Sequence, residues 1–195
     1  MGFRKIEDYN NIYITGDLHL SYTLNRSIRN RGFTNPIEHT KVIRNNINSV
    51  CKSHSDILII DGGFCSDMDL ARVFLKEITP KNIWLVIGNH DKIKDLQQLR
   101  KNGQVSRIEH ELKINWRDNL YHIQHLPCVE WDAMYRNSYH WFGHTHNTLQ
   151  PYLRAMDCGL DANNLFPVCL DKIIESRSQF SNIDKNGKRI SIDKL

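Results

Sequence analysis

Apolar residues in the first half of the chain fall into three short, unbroken runs, each stopped by glycine. Residues 11–15 (Asn-Ile-Tyr-Ile-Thr) lead into Gly16-Asp17, residues 56–60 (Asp-Ile-Leu-Ile-Ile) into Gly62-Gly63, and residues 82–87 (Asn-Ile-Trp-Leu-Val-Ile) into Gly88. Short β-branched runs bounded in this way predict buried strands. Between them the period lengthens. After a polar loop at 22–35, Pro36 can open a helix, and Ile37, Val42, Ile43, Ile47 and Val50 then recur at roughly helical spacing. Ser66 or Asp67 can cap a second helix with Leu70, Val73, Phe74 and Ile78 on its apolar face, and a third runs from Asp91 to about Lys101, ahead of Gly103. The rhythm is β-α-β-α-β, that of a sheet covered by helices.

The second half changes character. Residues 111–116 and 120–124 read as a hairpin joined by Arg117-Asp118-Asn119, residues 138–142 as a strand running into Gly143, and residues 154–158 as one more strand. A last short helix is expected over 168–175, and a small hairpin over 180–192 around Asp184-Lys185-Asn186-Gly187. The loop at 126–137 is long, as loops beside functional sites often are.

Length and composition bound this picture without sharpening it. The 195 residues are enough for one domain, 1–195, with a polar tail or hairpin from about 176. Hydrophobic residues make up 40% and charged residues 25%, an ordinary globular balance. No apolar run approaches the roughly 18 residues that span a bilayer. The first residues lack the apolar core of a signal peptide, and Met1-Gly2 is followed by Ile6 where a myristoylation signal has Ser or Thr. The expectation is a soluble, cytoplasmic protein with no membrane partner. Five scattered cysteines, an odd number without close pairs, fit free thiols in a reducing compartment. A net charge of +4 and a pI of about 8.8 mildly favour anionic partners.

The chemistry lies at the strand ends. Asp17 and His19 form an Asp-x-His pair after the first strand. Asn89-His90-Asp91 follows the third, His125 closes the hairpin, and His144-Thr145-His146 follows Gly143. Any one of these alone reads as a capping aspartate or a surface histidine. Four strand ends that all deliver histidine, asparagine or aspartate are hard to attribute to packing, and a covered sheet exposes its strand ends as a ligand crevice. Carboxylate with imidazole suits zinc, manganese or iron.

Gly16-Asp17-Leu18-His19, Gly88-Asn89-His90-Asp91, His125 before a proline and Gly143-His144-Thr145-His146 occur here in the order of the calcineurin-like metallophosphoesterases, which the chain resembles over roughly residues 11–175. Arg31-Gly32-Phe33, the stretch from Pro127 to Trp131 and the later Gly159-Leu160-Asp161-Ala162-Asn163-Asn164 are similar to a small bacterial and phage branch; a phage-encoded chain would work in the host cytoplasm. The resemblance implies an α/β (α+β) four-layer αββα sandwich with two divalent ions (manganese, iron, zinc or nickel) at the strand ends. It assigns one ion to Asp17, His19 and His146 and the other to Asn89, His125 and His144. His90 would act on the scissile phosphate as general acid or charge stabiliser, with Asp91 orienting it.

One position breaks the pattern. The family has an aspartate that bridges both ions where this chain has Gly63. Three readings stay open: a missing bridge with one site weak or empty, a substitute in Asp61 two residues earlier, or an Asp→Gly exchange in an otherwise active enzyme. The half site of Asn89, His125 and His144 should suffer most, since its ligands are all neutral. Arg26, Arg29 or Arg31 could grip a substrate phosphate. The expected function is hydrolysis of a phosphomonoester or phosphodiester, with a small phosphate ester or nucleotide as partner. An impaired phosphate- or nucleotide-binding module on the same fold is the alternative. A nuclease ranks third, because no aromatic and basic stripe marks a strand-binding groove.

Overall fold

The computed structural model describes residues 2–7, 9, 11–172, 179–188 and 190. In chain order the elements are β1 (Arg4–Ile6), β2 (Ile12–Gly16), α1 (Arg26–Asn30), α2 (Pro36–Val50), β3 (Ile57–Asp61), α3 (Met68–Glu77), β4 (Asn82–Val86), α4 (Ile93–Lys101), β5 (Arg107–Glu109), β6 (Glu111–Trp116), β7 (Asn119–Gln124), β8 (Tyr139–Phe142), β9 (Ala155–Asp157) and β10 (Val168–Cys169). They form two five-stranded sheets, ordered β10-β2-β3-β4-β5 and β1-β6-β7-β8-β9. The first is parallel except for β10 against β2. The second is parallel except for the β6–β7 hairpin.

The unbroken apolar runs have a direct cause: the strands are buried on both faces. On β3, Leu58 and Ile60 pack with the helices, while Ile57 and Ile59 face the second sheet. The helices contribute Ile43 and Ile47 of α2, Phe74 and Leu75 of α3, and Leu96 and Leu99 of α4. Asn35 caps α2 through the Ile37 amide, with Pro36 in the first turn. Asp67 caps α3 through the amides of Asp69 and Leu70.

Two residues assigned to the apolar faces are exposed, Ile37 at 66% and Val73 at 46%. The buried stripe of α2 is His39, Ile43 and Ile47. At 100° per residue, Ile37 lies on the far side of the helix from His39. Between the sheets, Ile14, Ile59 and Val86 meet Ile114, Ile123 and Trp141.

The outer face of the second sheet is covered differently. Among the described residues its cover is the 126–137 loop, which holds one 3-10 turn, Met134–Arg136, and packs Trp131 and Met134 on Phe142 and Ala155. Two buried imidazoles pin this loop. His140 Nε2 accepts from the Cys128 amide (3.1 Å) and His122 Nδ1 from the Asp132 amide (3.3 Å). The αββα sandwich therefore has an irregular fourth layer.

The hairpin turn is tighter than read. Arg117 and Asp118 both take positive φ, 47° and 61°, as a two-residue primed turn requires, and Asn119 pairs with Trp116. The helix expected over 168–175 begins late: Val168 and Cys169 pair with β2, helix starts at Leu170, and residues 173–175 lie outside the described residues. The turn at 184–187 does form, closed by Asp184 N–H to Lys188 O (2.7 Å) and Ile190 N–H to Asn182 O (3.0 Å); residues 189, 191 and 192 of that hairpin lie outside the described ones. No helix among the described residues is long and apolar enough to cross a membrane.

Two outcomes follow from this packing. Ile59→Ala, between the sheets, is expected to lower unfolding free energy in urea by about 2–5 kcal/mol, whereas Ile37→Ala should change it by no more than about 0.5 kcal/mol. Burial also holds the His140 imidazole down to about 3 and lowers that of His122, against about 6.5 in an unfolded chain. Below pH 6.5 the unfolded chain therefore takes up protons that the folded chain does not, and stability falls with pH down to the folded pKa. Urea titrations at pH 7 and pH 5 should show this loss, at most about 1.4 kcal/mol per pH unit per imidazole, and His140→Gln should reduce the slope.

Candidate metal centre

Parallel pairing brings the strand ends together. Beyond β2 and β3 the chains keep contact through Asp17 N–H to Gly62 O (3.0 Å) and His19 N–H to Gly63 O (2.6 Å), and Gly62 N–H bonds Val86 O at the end of β4 (2.9 Å). A bridge between Gly16 and Gly159 ties this edge to the segment after β9 in the other sheet. Glycine is required where the loops touch. A Cβ on Gly143 would sit 2.7 Å from Asp17 Oδ2, and one on Gly62, at φ 65°, would sit 2.2 Å from His125 Nδ1. Asp17, His19, His144 and His146 adopt φ of 54°, 49°, 67° and 48°. Left-handed backbone at four non-glycine positions is strain concentrated at one edge, a common mark of functional sites.

Asp17 is the hub. Its carboxylate is 1% exposed. Oδ2 accepts the His144 amide at 2.7 Å, and Oδ1 faces three imidazoles: His19 Nε2 at 3.3 Å, His146 Nε2 at 3.9 Å and His125 Nε2 at 4.0 Å. Burial pushes the carboxyl pKa up, but the His19 contact and the His125 and His146 charges outweigh it and hold the group below the usual carboxylate range. The ligand atoms of Asp17, His19 and His146 all lie within 4.8 Å of one another. Beside them, Asn89 Oδ1 lies 3.0 Å from His125 Nε2 and 3.2 Å from His144 Nδ1. The six expected ligands thus gather into two adjoining sets. His90 is exposed, its ring 5.5 Å from that of His19, and it lines an open cleft of about 720 Å³ with Arg26, Gly63 and Thr145.

The two sets differ as cation sites. The first offers one carboxylate and two imidazoles, and His19 Nε2 is buried, makes no aligned hydrogen bond and faces Asp17 Oδ1 at 3.3 Å, the condition of a donor prepared for a ligand. It fits a divalent ion. The second offers an amide oxygen and two imidazoles and no carboxylate; His125 gives its Nδ1 proton to the Asp61 carbonyl, which leaves a lone pair on Nε2 facing Asn89 Oδ1. A Cβ on Gly63 would stand 3.0 Å from Asp17 Oδ1 and 3.1 Å from His19 Cε1, so a side chain there would enter the centre, and none does.

Three expectations need correction. Asp61 stays beneath the site and does not take the place of the missing side chain. It is fully buried, its Oδ2 accepts from Cys158 Sγ, and burial raises its pKa well above the ordinary value, which favours the neutral acid. Its backbone carbonyl accepts from His125 Nδ1 at 3.1 Å, and its Oδ1 lies 3.9 Å from the same nitrogen. Asp91 does not reach His90; its carboxylate accepts the amides of Phe64 (2.9 Å) and Gly88 (2.8 Å) and so ties the loops after β3 and β4 together. Arg31 is not free to grip substrate, because its side chain is 2% exposed and bonded inside the protein. Arg26 remains at the cleft. Asp161 was noticed only as part of a resembling segment, yet its Oδ2 lies 2.6 Å from His146 Nδ1. Its partners are distant in sequence, and no local pattern announces them.

With this geometry the relationship is direct. Residues 11–148 match the calcineurin-like phosphoesterase family, and the chain belongs to that family. No curated protein matches it. Among solved structures, a protein of unknown function from Aquifex aeolicus aligns over 85% of this chain and 98% of its own at 18% identity, with a TM-score of 0.67, a likeness of fold. A structure described as a novel archaeal phosphodiesterase aligns over 77% of this chain and 82% of its own at 17% identity, with a TM-score of 0.47.

Position 63 yields a stability test. Gly63 has φ 56°, a region that costs an ordinary L-residue about 1–2 kcal/mol, and a carboxylate there would face that of Asp17. In chelator, Gly63→Asp should melt about 2–8 °C below the parent chain, read by differential scanning calorimetry.

Proposed function

We propose that the chain is a phosphoesterase working from the Asp17, His19 and His146 half site, with the Asn89, His125 and His144 set weakly loaded or empty, on a small phosphomonoester or phosphodiester. The observation that carries this reading is the gathering of the Asp17, His19 and His146 ligand atoms within 4.8 Å of one another, with the buried His19 Nε2 free of any aligned hydrogen bond and turned to a shielded carboxylate. A divalent ion held there supplies positive charge to a phosphoryl oxygen and lowers the pKa of water. The side chains do the rest. His90, exposed at the cleft wall, is placed to give a proton to the departing oxygen. Among the described residues Arg26 is the one Lys or Arg side chain lining the cleft, enough to attract one phosphate but too little for a nucleic-acid strand.

The missing bridge supports impaired turnover. Without a shared carboxylate, two cations in adjoining sets repel each other with little screening. A second reading, a phosphate- or nucleotide-binding module, is favoured by the same Gly63 and by the absence of any carboxylate from the Asn89, His125 and His144 set.

The test pairs elemental analysis with a chromogenic phosphodiester assay in Mn²⁺. The parent chain is expected to hold close to one metal ion and turn over slowly. Gly63→Asp should hold close to two and run roughly 10²-fold faster, on the order of 3 kcal/mol in the barrier. Absence of turnover from both proteins would refute hydrolysis, and tight metal-independent nucleotide binding by the inactive chain would establish the module.

A further inference from the structure

Arg31 follows α1 and points inward, and every N–H of its guanidinium is used. Nε and Nη2 form a fork on Asp161, at 2.9 Å to Oδ1 and 2.7 Å to Oδ2. Nη2 also donates to Asp17 O at 2.6 Å, and Nη1 donates to Leu18 O at 3.1 Å and to His39 Nε2 at 3.1 Å. Burial and the neighbouring guanidinium hold the His39 imidazole down to about 4, so it is a neutral acceptor. Five donors meet five acceptors, the full capacity of the group.

The choice of acceptors gives this fork more than a packing role. Asp17 O and Leu18 O belong to the turn that carries two of the three ligands, Asp17 and His19. Asp161 carries the clamp to the third: with the His146 proton on Nδ1, facing Asp161 Oδ2 at 2.6 Å, the lone pair is left on Nε2, the atom that faces Asp17. The segments joined lie far apart in sequence, around residues 17, 31, 146 and 161.

We infer that Arg31 is the positioning residue of the Asp17 half site, setting all three ligands through one guanidinium, with Asp161 as its relay to His146. Arg31 takes no part in substrate binding on this account. Lysine cannot replace it, because an ammonium has three donors and no planar fork. Carboxylates behind ligating histidines fix the tautomer, and their loss costs 10- to 100-fold in metal affinity. The inference rests on the Asp17 half site being a metal site, and its test separates the two ideas.

Histidine-labelled ¹⁵N spectra at pH 8 in chelator read the His146 tautomer without metal, with the resonance assigned by its loss in His146→Gln. The parent chain should show the proton on Nδ1, while Asp161→Ala and Arg31→Lys should shift it toward Nε2. Mn²⁺ competition titrations should then show roughly 10- to 100-fold weaker binding for each variant. The double variant should fall near Arg31→Lys alone, because Asp161 acts only on the branch of the fork that runs to His146. Far-ultraviolet circular dichroism checks folding. An unshifted tautomer and parental Mn²⁺ affinity in both folded variants would overturn the inference. If the parent takes up no Mn²⁺ but the tautomer shifts as stated, the relay stands and the metal reading falls.

Discussion

A single buried carboxylate organises this molecule's working end. Asp17 cannot be both charged and dry without company, and the fold supplies it from two sheets: the His144 amide on one oxygen and the rings of His19, His125 and His146 about the other. Those partners come from the ends of β2, β7 and β8. The close approach of glycines at 16, 62, 88 and 143 follows from that meeting, because any side chain there would collide with Asp17, Asp61, His125 or the neighbouring backbone. Large apolar side chains fill the space between the sheets, and at one edge the Gly16–Gly159 bridge and the His144 amide on Asp17 link the two.

How much of this could be read in advance follows from the range of each interaction. The runs in β2, β3 and β4 were legible because strands covered on both faces leave an unmistakable apolar signature. The three-residue edges β1 and β5 and the two-residue β10 were not, because their pairing is decided by neighbours from elsewhere in the chain. The ligands stood out because histidine, asparagine and aspartate cluster directly after strands. The roles of Asp91 and Arg31 were misjudged for a shared reason. A charged residue near a motif suggests a part in the reaction, Asp91 in orienting His90 and Arg31 in gripping phosphate. The structure spends Asp91 on the amides of Phe64 and Gly88, and Arg31 on Asp161, His39 and the carbonyls of Asp17 and Leu18. Asp61 shows the limit of strand periodicity: it does face the right side, but it lies one layer too deep.

The two ligand sets are unequal in a way that their side-by-side positions conceal. One contains a full negative charge with a clamp behind it. The other holds an amide oxygen and imidazoles without a carboxylate, so a cation entering it meets no opposite charge. In a family whose chemistry draws on two ions acting together, this asymmetry makes the chain a natural separation of the two contributions within one scaffold.

The backbone at position 63 carries a last consequence. The left-handed conformation there is one that glycine adopts freely and every other residue only under strain. A side chain at that point would serve the reaction while working against the fold, so stability and activity pull in opposite directions at a single Cα. Glycine is the residue that folding alone would select. An exchange between aspartate and glycine here would be little visible to the protein's architecture, and the loops around Gly63 stay in register without a side chain at that point.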